Sequence, residues 1–349
     1  MAAGVLPGPD NPTGDKIAGA TCTTIVGMIR LILAFLMAAP LFSGDWYLFT
    51  SFRGNGETGV YLALSNDGRR WTPLNDNQPW VKPAEAGMLM RDPWLGQGPD
   101  GTWHMVWTWG WTRAEMGGRL KIGYASSKDL IAWTPQRAIF VMDNEPEARN
   151  AWAPEAVWDV GGKEWTVFWA STIPGRFSDT DASGDGGYNH RIWATTTRDW
   201  QMFSPSRLWF DPGFNSIDAT VAQAGKRWVL VFKDERKTPL VKRLRLAFAD
   251  SPRGPWSNVS EPFTGDWVEG PSVARIGPEW LIYFDHYTQP QHYGAVRTTD
   301  WRTFEDVTAQ MSFPADHRHG TVVKISEELA RRLQARRPEP TSPSTAPKQ

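Results

Sequence analysis

The chain has little cysteine, almost no net charge and no long hydrophobic run, and each shortage excludes a class of protein. Its 349 residues include one cysteine, Cys22, which excludes a disulfide framework and a cysteine-based zinc site. With 37 Lys+Arg against 38 Asp+Glu, the chain lacks the basic excess that binding to nucleic acid needs. The apolar fraction of 41% excludes bulk disorder.

The two ends of the chain differ in composition from its centre. An apolar stretch at 31–42 follows Arg30, and it is too short for a transmembrane helix. A basic residue before a short apolar stretch is typical of a secretory signal peptide. We therefore expect residues 1–44 to be a leader, with a signal peptide from about Met28, and the mature protein to be exported; an N-terminal anchor or a cytoplasmic enzyme is the alternative. Residues 326–349 predict a short helix followed by a disordered Pro/Ser/Thr-rich tail.

Tryptophan is abundant, with 21 copies, and it marks an internal repeat. Five segments begin with Trp and continue with aromatic and β-branched residues, as strands buried on both faces do: 46–51, 103–108, 165–170, 228–233 and 280–285. A second strand rich in small residues follows each of them and leads into a turn that contains an aspartate: Asp67, Asp129, Asp199, Asp250 and Asp300. An aspartate in such a turn can accept hydrogen bonds from its own backbone amides.

This repeat predicts the fold. Units of this length that contain antiparallel strands are typical of the four-stranded blades of a β-propeller. Helical periodicity is absent from the repeats, which excludes a TIM barrel and a Rossmann fold. The first unit has no innermost strand, whereas an unassigned strand occurs at about 319–325. We therefore predict an all-β, five-bladed β-propeller over 45–325, closed by pairing the C-terminal strand with the N-terminal blade.

Four predicted innermost strands each carry an acidic residue 10 or 11 positions before the Trp of the next strand: Asp92, Glu155, Asp218 and Glu269. His319 occupies the fifth innermost strand. Similar offsets in equivalent blades should place these side chains around one mouth of the central channel. Clustered carboxylates repel one another and are costly to desolvate, so such a ring indicates function. Each acid taken alone could equally well bond to backbone amides or pair with an arginine.

Five short motifs occur in the order seen in family-43 glycoside hydrolases: Arg91-Asp92-Pro93, Trp152-Ala153-Pro154-Glu155, Ile217-Asp218-Ala219, Glu269-Gly270-Pro271 and His319-Gly320. The chain resembles that family over nearly all of 45–325. The resemblance implies inverting hydrolysis of arabinose, xylose or galactose linkages in plant- or algal-type polysaccharides or oligosaccharides. It implies Asp92 as general base, Glu269 as general acid and Asp218 as the residue that tunes the pKa of the acid. The chain departs from the family pattern at Glu155, where Asp is usual, and at Ala219, where Pro is usual.

The chemistry of glycoside cleavage is compatible with these residues. Inversion needs a protonated carboxyl at the leaving oxygen and an ionised carboxylate about 6.5–9.5 Å away that activates water. We expect Asp218 to raise the pKa of Glu269 and Arg91 to keep Asp92 ionised.

The remaining site predictions concern binding. Arg91, Trp152, Glu155, Trp267 and His319 are the predicted substrate-binding residues, the two tryptophans as platforms that stack on sugar rings. The resemblance implies no required cofactor and no catalytic metal, but it implies a structural cation or a water near His319. We expect a carbohydrate substrate, no nucleic-acid partner, no membrane span in the mature domain and a monomer.

Three other functions are consistent with parts of the sequence. A retaining fructan-type glycosidase would need a nucleophilic aspartate in an Asn-Asp-Pro motif one blade before Asp92, and that motif is absent. The turn at 65–71 is similar to the Asp boxes of sialidases, but the sequence shows no arginine cluster for a substrate carboxylate. A non-catalytic carbohydrate-binding propeller could carry the same acids in positions unsuited to catalysis.

Overall fold

A computed structural model describes residues 44–336, in which five small sheets form the five-bladed β-propeller that the repeat predicts. The predicted leader and the Pro/Ser/Thr-rich tail lie outside the described residues, so export stays a prediction. Within residues 44–336, no helix has the length and apolarity that crossing a membrane requires.

The first blade is closed by the two ends of the propeller. Its strands, from the channel outward, are β19 (Val322–Ile325), β1 (Trp46–Ser51), β2 (Tyr61–Ser65) and β3 (Thr72–Pro73). β19 is antiparallel to β1, with Trp46 opposite Ile325 and Phe49 opposite Val322. This pairing confirms the predicted closure and gives β1 a partner on its channel side.

The other blades follow in chain order, each with its innermost strand first. The second blade contains β4 (Arg91–Gln97), β5 (Trp103–Thr108), β6 (Lys121–Ser127) and β7 (Arg137–Phe140). The third contains β8 (Trp152–Asp159), β9 (Glu164–Thr172), β10 (His190–Thr197) and β11 (Arg207–Phe210). The fifth contains β15 (Val268–Ile276), β16 (Glu279–His286), β17 (His292–Thr298) and β18 (Glu305–Asp306).

The fourth blade is a three-stranded sheet, with β12 (Ser216–Ala224), β13 (Arg227–Asp234) and β14 (Arg243–Ala249). The expectation of four strands in every blade is therefore wrong for the fourth blade. A single bridge between Phe248 and Ser257 takes the place of an outer strand. The segment between them contains Pro252 and Pro255, which cannot donate to a ladder.

In four blades the turn after the third strand, the one rich in small residues, has a common structure that explains the repeated aspartate. In the first blade, Oδ1 of Asp67 accepts hydrogen bonds from the backbone amides of Arg69 and Arg70. The Ser65 hydroxyl accepts one from the amide of Gly68, whose φ is 69°. The same pattern recurs around Asp129, Asp199 and Asp300, with a Ser or Thr two residues before each aspartate.

Residues outside the sheets form short helical segments. Helix α1 (Glu327–Ala335) follows the last strand, and its first turn is capped by Ser326, whose hydroxyl accepts from the amide of Leu329. Short 3-10 segments lie at Asn75–Asn77, Ser178–Ser183, Asp185–Gly187 and Thr308–Gln310.

Candidate active site

A cavity of about 320 Å³ lies where the innermost strands begin. Six of the eight predicted site residues line it: Arg91, Asp92, Trp152, Asp218, Glu269 and His319. The two that do not line it are Glu155 and Trp267. The repeat thus brings three carboxyl groups from three blades to one cavity.

A β-bulge at the same place in four innermost strands allows two consecutive side chains to face this cavity. Asp92, Ala153, Asp218 and Gly270 all have positive φ, between 47° and 58°, and each lies within a shift of register. Side chains that follow one another in a regular strand point to opposite faces. The bulge breaks this alternation, so that Arg91 and Asp92 both line the cavity.

The four acids do not share one register, which corrects the expectation drawn from their offsets. When the innermost strands are aligned by their pairing with the Trp-led strands, Asp92 and Asp218 occupy the bulge position. Glu269 precedes that position by one residue. Glu155 follows the bulge by two residues and is opposite Phe168. The loops that join the innermost strands to the Trp-led strands differ in length, so counting back from Trp does not identify equivalent positions.

His319 lies between Asp92 and Asp218. Its Nδ1 is 3.4 Å from Oδ1 of Asp92 and 3.9 Å from Oδ2 of Asp218. Burial opposes a charge on the imidazole, but the two carboxylates outweigh it and raise the pKa of His319 to about 9. Gly270 leaves room for this ring, since a Cβ there would lie 2.4 Å from Cγ of His319. The histidine is therefore an imidazolium at neutral pH.

Asp92 is held as an ionised, oriented carboxylate. Thr108 in β5 donates a hydrogen bond of 2.7 Å to Oδ2 of Asp92. Burial opposes ionisation, but the charges of Arg91 and His319 hold the pKa of Asp92 well below its usual range. This agrees with the expectation that Arg91 keeps Asp92 ionised.

Glu269 is bound by cations at both oxygens. Nζ of Lys233 lies 3.0 Å from Oε2, and Arg318 donates a 2.8 Å hydrogen bond to Oε1. Burial alone would raise the pKa of Glu269, but these two charges lower it. The raised pKa that we expected for this residue is therefore wrong for the free protein, because the sequence did not reveal either cation as a partner.

The raised pKa expected for Glu269 is found at Asp218 instead. Burial raises the pKa of Asp218 to about 6, and the charge of Glu269 adds to that effect while His319 opposes it. Oδ2 of Asp218 accepts a 3.1 Å hydrogen bond from the amide of Gly270, the residue after Glu269. Two carboxyl groups so close to each other titrate as a pair.

Glu155 is buried behind the cavity wall. It is 5% exposed, and burial raises its pKa to about 8, although a hydrogen bond with Thr220 opposes this. Its carboxyl group is therefore neutral at pH 7. Because it does not line the cavity, Glu155 is not placed to contact a sugar there.

The aromatic side chains of the cavity also hold the arginine in place. The guanidinium of Arg91 lies 4.2 Å from the ring centre of Trp111 and 4.5 Å from that of Phe52. Trp152 packs edge-on against Trp111 and donates from Nε1 to its carbonyl. Trp267 instead contacts Tyr287, with ring centres 6.1 Å apart, and Tyr287 is the ring that reaches the cavity.

In three blades the Trp-led strand carries, near its end, a polar side chain that the sequence motifs did not reveal. The sixth position of the Trp-led segment holds Ser51, Thr108, Ala170, Lys233 and Asp285. Thr108 bonds to Asp92, Lys233 to Glu269, and Asp285 to Arg318. A lysine or an aspartate at the end of an otherwise apolar strand was the available signal, because a buried charge needs a partner.

Within residues 44–336, no group of three or more His, Cys, Asp or Glu side chains is arranged to hold a metal ion. The structural cation near His319 stays an expectation. The imidazolium of His319 supplies positive charge to Asp92 and Asp218.

Known proteins resemble this chain in sequence and in fold. Residues 44–330 match the family model described as "Probable glycosyl hydrolase domain", which is related to glycosyl hydrolase family 43. The chain is 30% identical over 244 residues to an α-L-arabinofuranosidase from Bifidobacterium longum subsp. longum. That match includes 64% of this chain and 22% of the relative, so the chain spans about a fifth of the length of that protein.

Two solved structures have a similar fold. One is a family-43 β-1,3-galactosidase, with a TM-score of 0.53 and 14% identity over 76% of this chain and 58% of its own. The other is an exo-β-1,3-galactanase from Clostridium thermocellum, with a TM-score of 0.53 and 13% identity over 75% of this chain and 59% of its own. At these identities the similarity shows the fold alone.

Proposed function

The chain belongs to the family-43-related glycosyl hydrolases, and on that basis we propose that it hydrolyses glycosidic bonds with inversion, α-L-arabinofuranosides foremost. The observation that carries the proposal is the convergence of Asp92, Asp218 and Glu269 on one cavity. The choice of sugar rests on the similarity of the chain to an α-L-arabinofuranosidase. Xylosides and galactosides are the other substrates that the sequence motifs imply.

In the proposed reaction Asp92 is the general base. It takes a proton from a water molecule as the oxygen of that water attacks the anomeric carbon. Arg91 and His319 keep Asp92 ionised, and the hydrogen bond from Thr108 fixes the orientation of its carboxylate. These contacts support the role, since a base must be both deprotonated and positioned.

Glu269 and Asp218 together provide the general acid. In the free protein Asp218 has the higher pKa of the two, so a proton that the pair binds resides on Asp218. The side chain of Glu269 is 17% exposed and that of Asp218 is 6% exposed, so a sugar that expels water desolvates Glu269 more. Desolvation favours the neutral form of a carboxyl group, and we propose that the proton then passes to Glu269. Glu269 donates it to the glycosidic oxygen as the bond between carbon and oxygen breaks.

A screen of aryl glycosides tests the activity. Wild type and Asp92→Asn are assayed on 4-nitrophenyl α-L-arabinofuranoside, β-D-xyloside and β-D-galactoside, with Glu328→Gln on the exposed face of α1 as a matched control. We expect Asp92→Asn to lose at least about 100-fold in kcat/KM, the low end of the contribution of a general base. Equal rates for wild type and Asp92→Asn would contradict the proposal and favour a non-catalytic carbohydrate-binding propeller.

A further inference from the structure

Four charged side chains of alternating sign lead from a loop of the third blade to Glu269. They are Asp185, Lys242, Glu235 and Lys233, here called the charge row. Asp185 begins the 3-10 segment between β9 and β10, and Lys242 lies directly before β14. Lys233 is in β13, and Glu235 follows that strand two positions later. In an extended chain this spacing places both side chains on one face, and Glu235 lines the candidate active site.

Ion pairs connect the members of the charge row. Nζ of Lys233 lies 3.0 Å from Oε2 of Glu269 and 2.7 Å from Oε2 of Glu235. Nζ of Lys242 lies 2.5 Å from Oε1 of Glu235 and 2.9 Å from Oδ2 of Asp185. Glu235 therefore bridges the two lysines, and Lys242 bridges two carboxylates.

The inner part of the charge row is buried, and its outer end reaches the surface. The side chains of Lys233 and Lys242 are 1% and 2% exposed, whereas that of Asp185 is 49% exposed. Hydrogen bonds from Lys237 and Lys242 lower the pKa of Asp185, which is therefore ionised at neutral pH. Salt screens buried charges only weakly, so removing one charge changes the field at its neighbours. Asp185 can be replaced without removing a buried group.

Lys233 shares its charge between Glu269 and Glu235. A stronger pair between Glu235 and Lys242 leaves more of the charge of Lys233 to stabilise ionised Glu269. The charged and titratable groups that face Glu269 come from several elements: Asp218, Lys233, Asp285, Tyr287, Arg318 and His319. Of these, Lys233 is the group that forms ion pairs with both Glu269 and Glu235. It is therefore the link through which the rest of the charge row acts on Glu269.

We propose that Asp185, Lys242 and Glu235 are positioning residues that set, through Lys233, how readily Glu269 takes up a proton. The inference rests on the proposed function, because it takes Glu269 as the proton donor. Asp185 holds Lys242 and so limits how far Lys242 neutralises Glu235. Loss of Asp185 should strengthen the pair of Lys242 and Glu235, leave Lys233 to Glu269, and make Glu269 harder to protonate. Loss of Lys242 should have the opposite effect.

The pH dependence of kcat/KM tests the proposal on an aryl glycoside with a weakly acidic phenol, whose departure needs the proton. The fall in rate at high pH reports loss of the proton from the pair of Asp218 and Glu269. In Asp185→Asn we expect the midpoint of this fall about 0.3 pH unit or more below that of wild type. In Lys242→Met we expect the midpoint to lie above that of wild type by about 0.3 pH unit or more.

Two variants serve as controls. Asp143→Asn also removes a half-exposed carboxylate from an ion pair, because Asp143 is 52% exposed and lies 2.5 Å from Arg119. Its midpoint should equal that of wild type. Asp185→Glu changes the side chain but keeps the charge, and it should also keep the wild-type midpoint.

Equal midpoints for wild type and Asp185→Asn, or the same fall in Asp143→Asn, would overturn the proposal. A lower rate with an unchanged midpoint would overturn it too, since that is the effect of a purely structural contact. A midpoint that falls in Lys242→Met as it does in Asp185→Asn would contradict the alternation of sign on which the proposal depends.

A second measurement separates this proposal from the proposed function. If wild type cleaves no glycoside, the proposed function fails, and the charge row is tested by ¹³C NMR titration of the carboxyl groups. The signal of Glu269 is assigned from its absence in Glu269→Gln. A lower titration midpoint for Glu269 in Asp185→Asn, but not in Asp143→Asn, supports the charge row, and equal midpoints overturn it.

Discussion

Replacing Glu269 should reduce activity in proportion to how poor the leaving group is. Glu269→Gln removes the proposed proton donor but preserves the shape of the side chain. Asp218→Asn makes the same change of charge at the other member of the pair. A general acid matters most when the departing alcohol is weakly acidic, because a stable phenolate departs without a proton.

The contacts of Glu269 indicate how much Glu269→Gln should lower the free energy of unfolding. After Glu269→Gln, Lys233 keeps Glu235 at 2.7 Å, and Arg318 keeps Asp285 at 3.1 Å. Neither cation becomes an unpaired buried charge, so the cost should be about 1–3 kcal/mol, that of weakened hydrogen bonds to charged groups. The cost of leaving a buried charge without a partner, about 3–5 kcal/mol, should not apply. The variant should therefore remain folded at 25 °C, which far-UV circular dichroism would verify.

The assay uses a series of aryl glycosides with one sugar and leaving groups of increasing pKa. For Glu269→Gln we expect kcat/KM close to wild type with 2,4-dinitrophenol and about 10²–10⁴-fold lower with the least acidic phenol. For Asp218→Asn we expect a weaker dependence on the leaving group, because Glu269 remains as the proton donor. If the dependence on the leaving group belongs to Asp218→Asn and not to Glu269→Gln, the assignment of the donor is wrong.

Two further predictions concern stability. Glu155 is neutral in the fold, with a pKa of about 8 against an ordinary 4.5, so the stability of the protein should fall as pH rises from about 4.5 to 8, by about 3 kcal/mol at pH 7. Glu155→Gln cannot ionise and should show a smaller drop in Tm between pH 5 and pH 8 than wild type; an unchanged drop would refute the burial argument. At the closure of the propeller, a Cβ on Gly320 would lie 1.6 Å from the carbonyl oxygen of Thr50. Gly320→Ala should therefore destabilise by about 3 kcal/mol or more, whereas Gly265→Ala, with open space around it, should not, as urea unfolding would show.

The parts of this protein that repeat could be predicted from its sequence. The number of blades follows from the Trp-led strands and the aspartate turns, because each blade packs against its neighbours in the same way. The closure follows from the unpaired strand predicted at the end of the repeats. The motifs around Asp92, Asp218 and Glu269 identified three carboxyl groups that face the cavity. Their positions follow from the bulge that recurs in the innermost strands.

The parts that do not repeat could not be predicted. Lys233 and Arg318 lie 36 and 49 residues from Glu269 in sequence, and they meet it only because neighbouring blades converge on the cavity. Without them the sequence predicted the wrong direction for the pKa of Glu269. Glu155 was misplaced for a different reason, since the loops that join the innermost strands to the Trp-led strands differ in length and a count back from Trp does not allow for this.

The stereochemistry of the first product tests the central claim most directly. Wild type is mixed with an α-L-arabinofuranoside, or with whichever glycoside the screen identifies, and the anomeric proton of the released sugar is followed by ¹H NMR before mutarotation. A water activated by Asp92 attacks from the face opposite the leaving group, so the first sugar to appear should have the inverted anomeric configuration. A first product with the configuration of the substrate would contradict the account and would indicate a retaining enzyme with a carboxylate nucleophile.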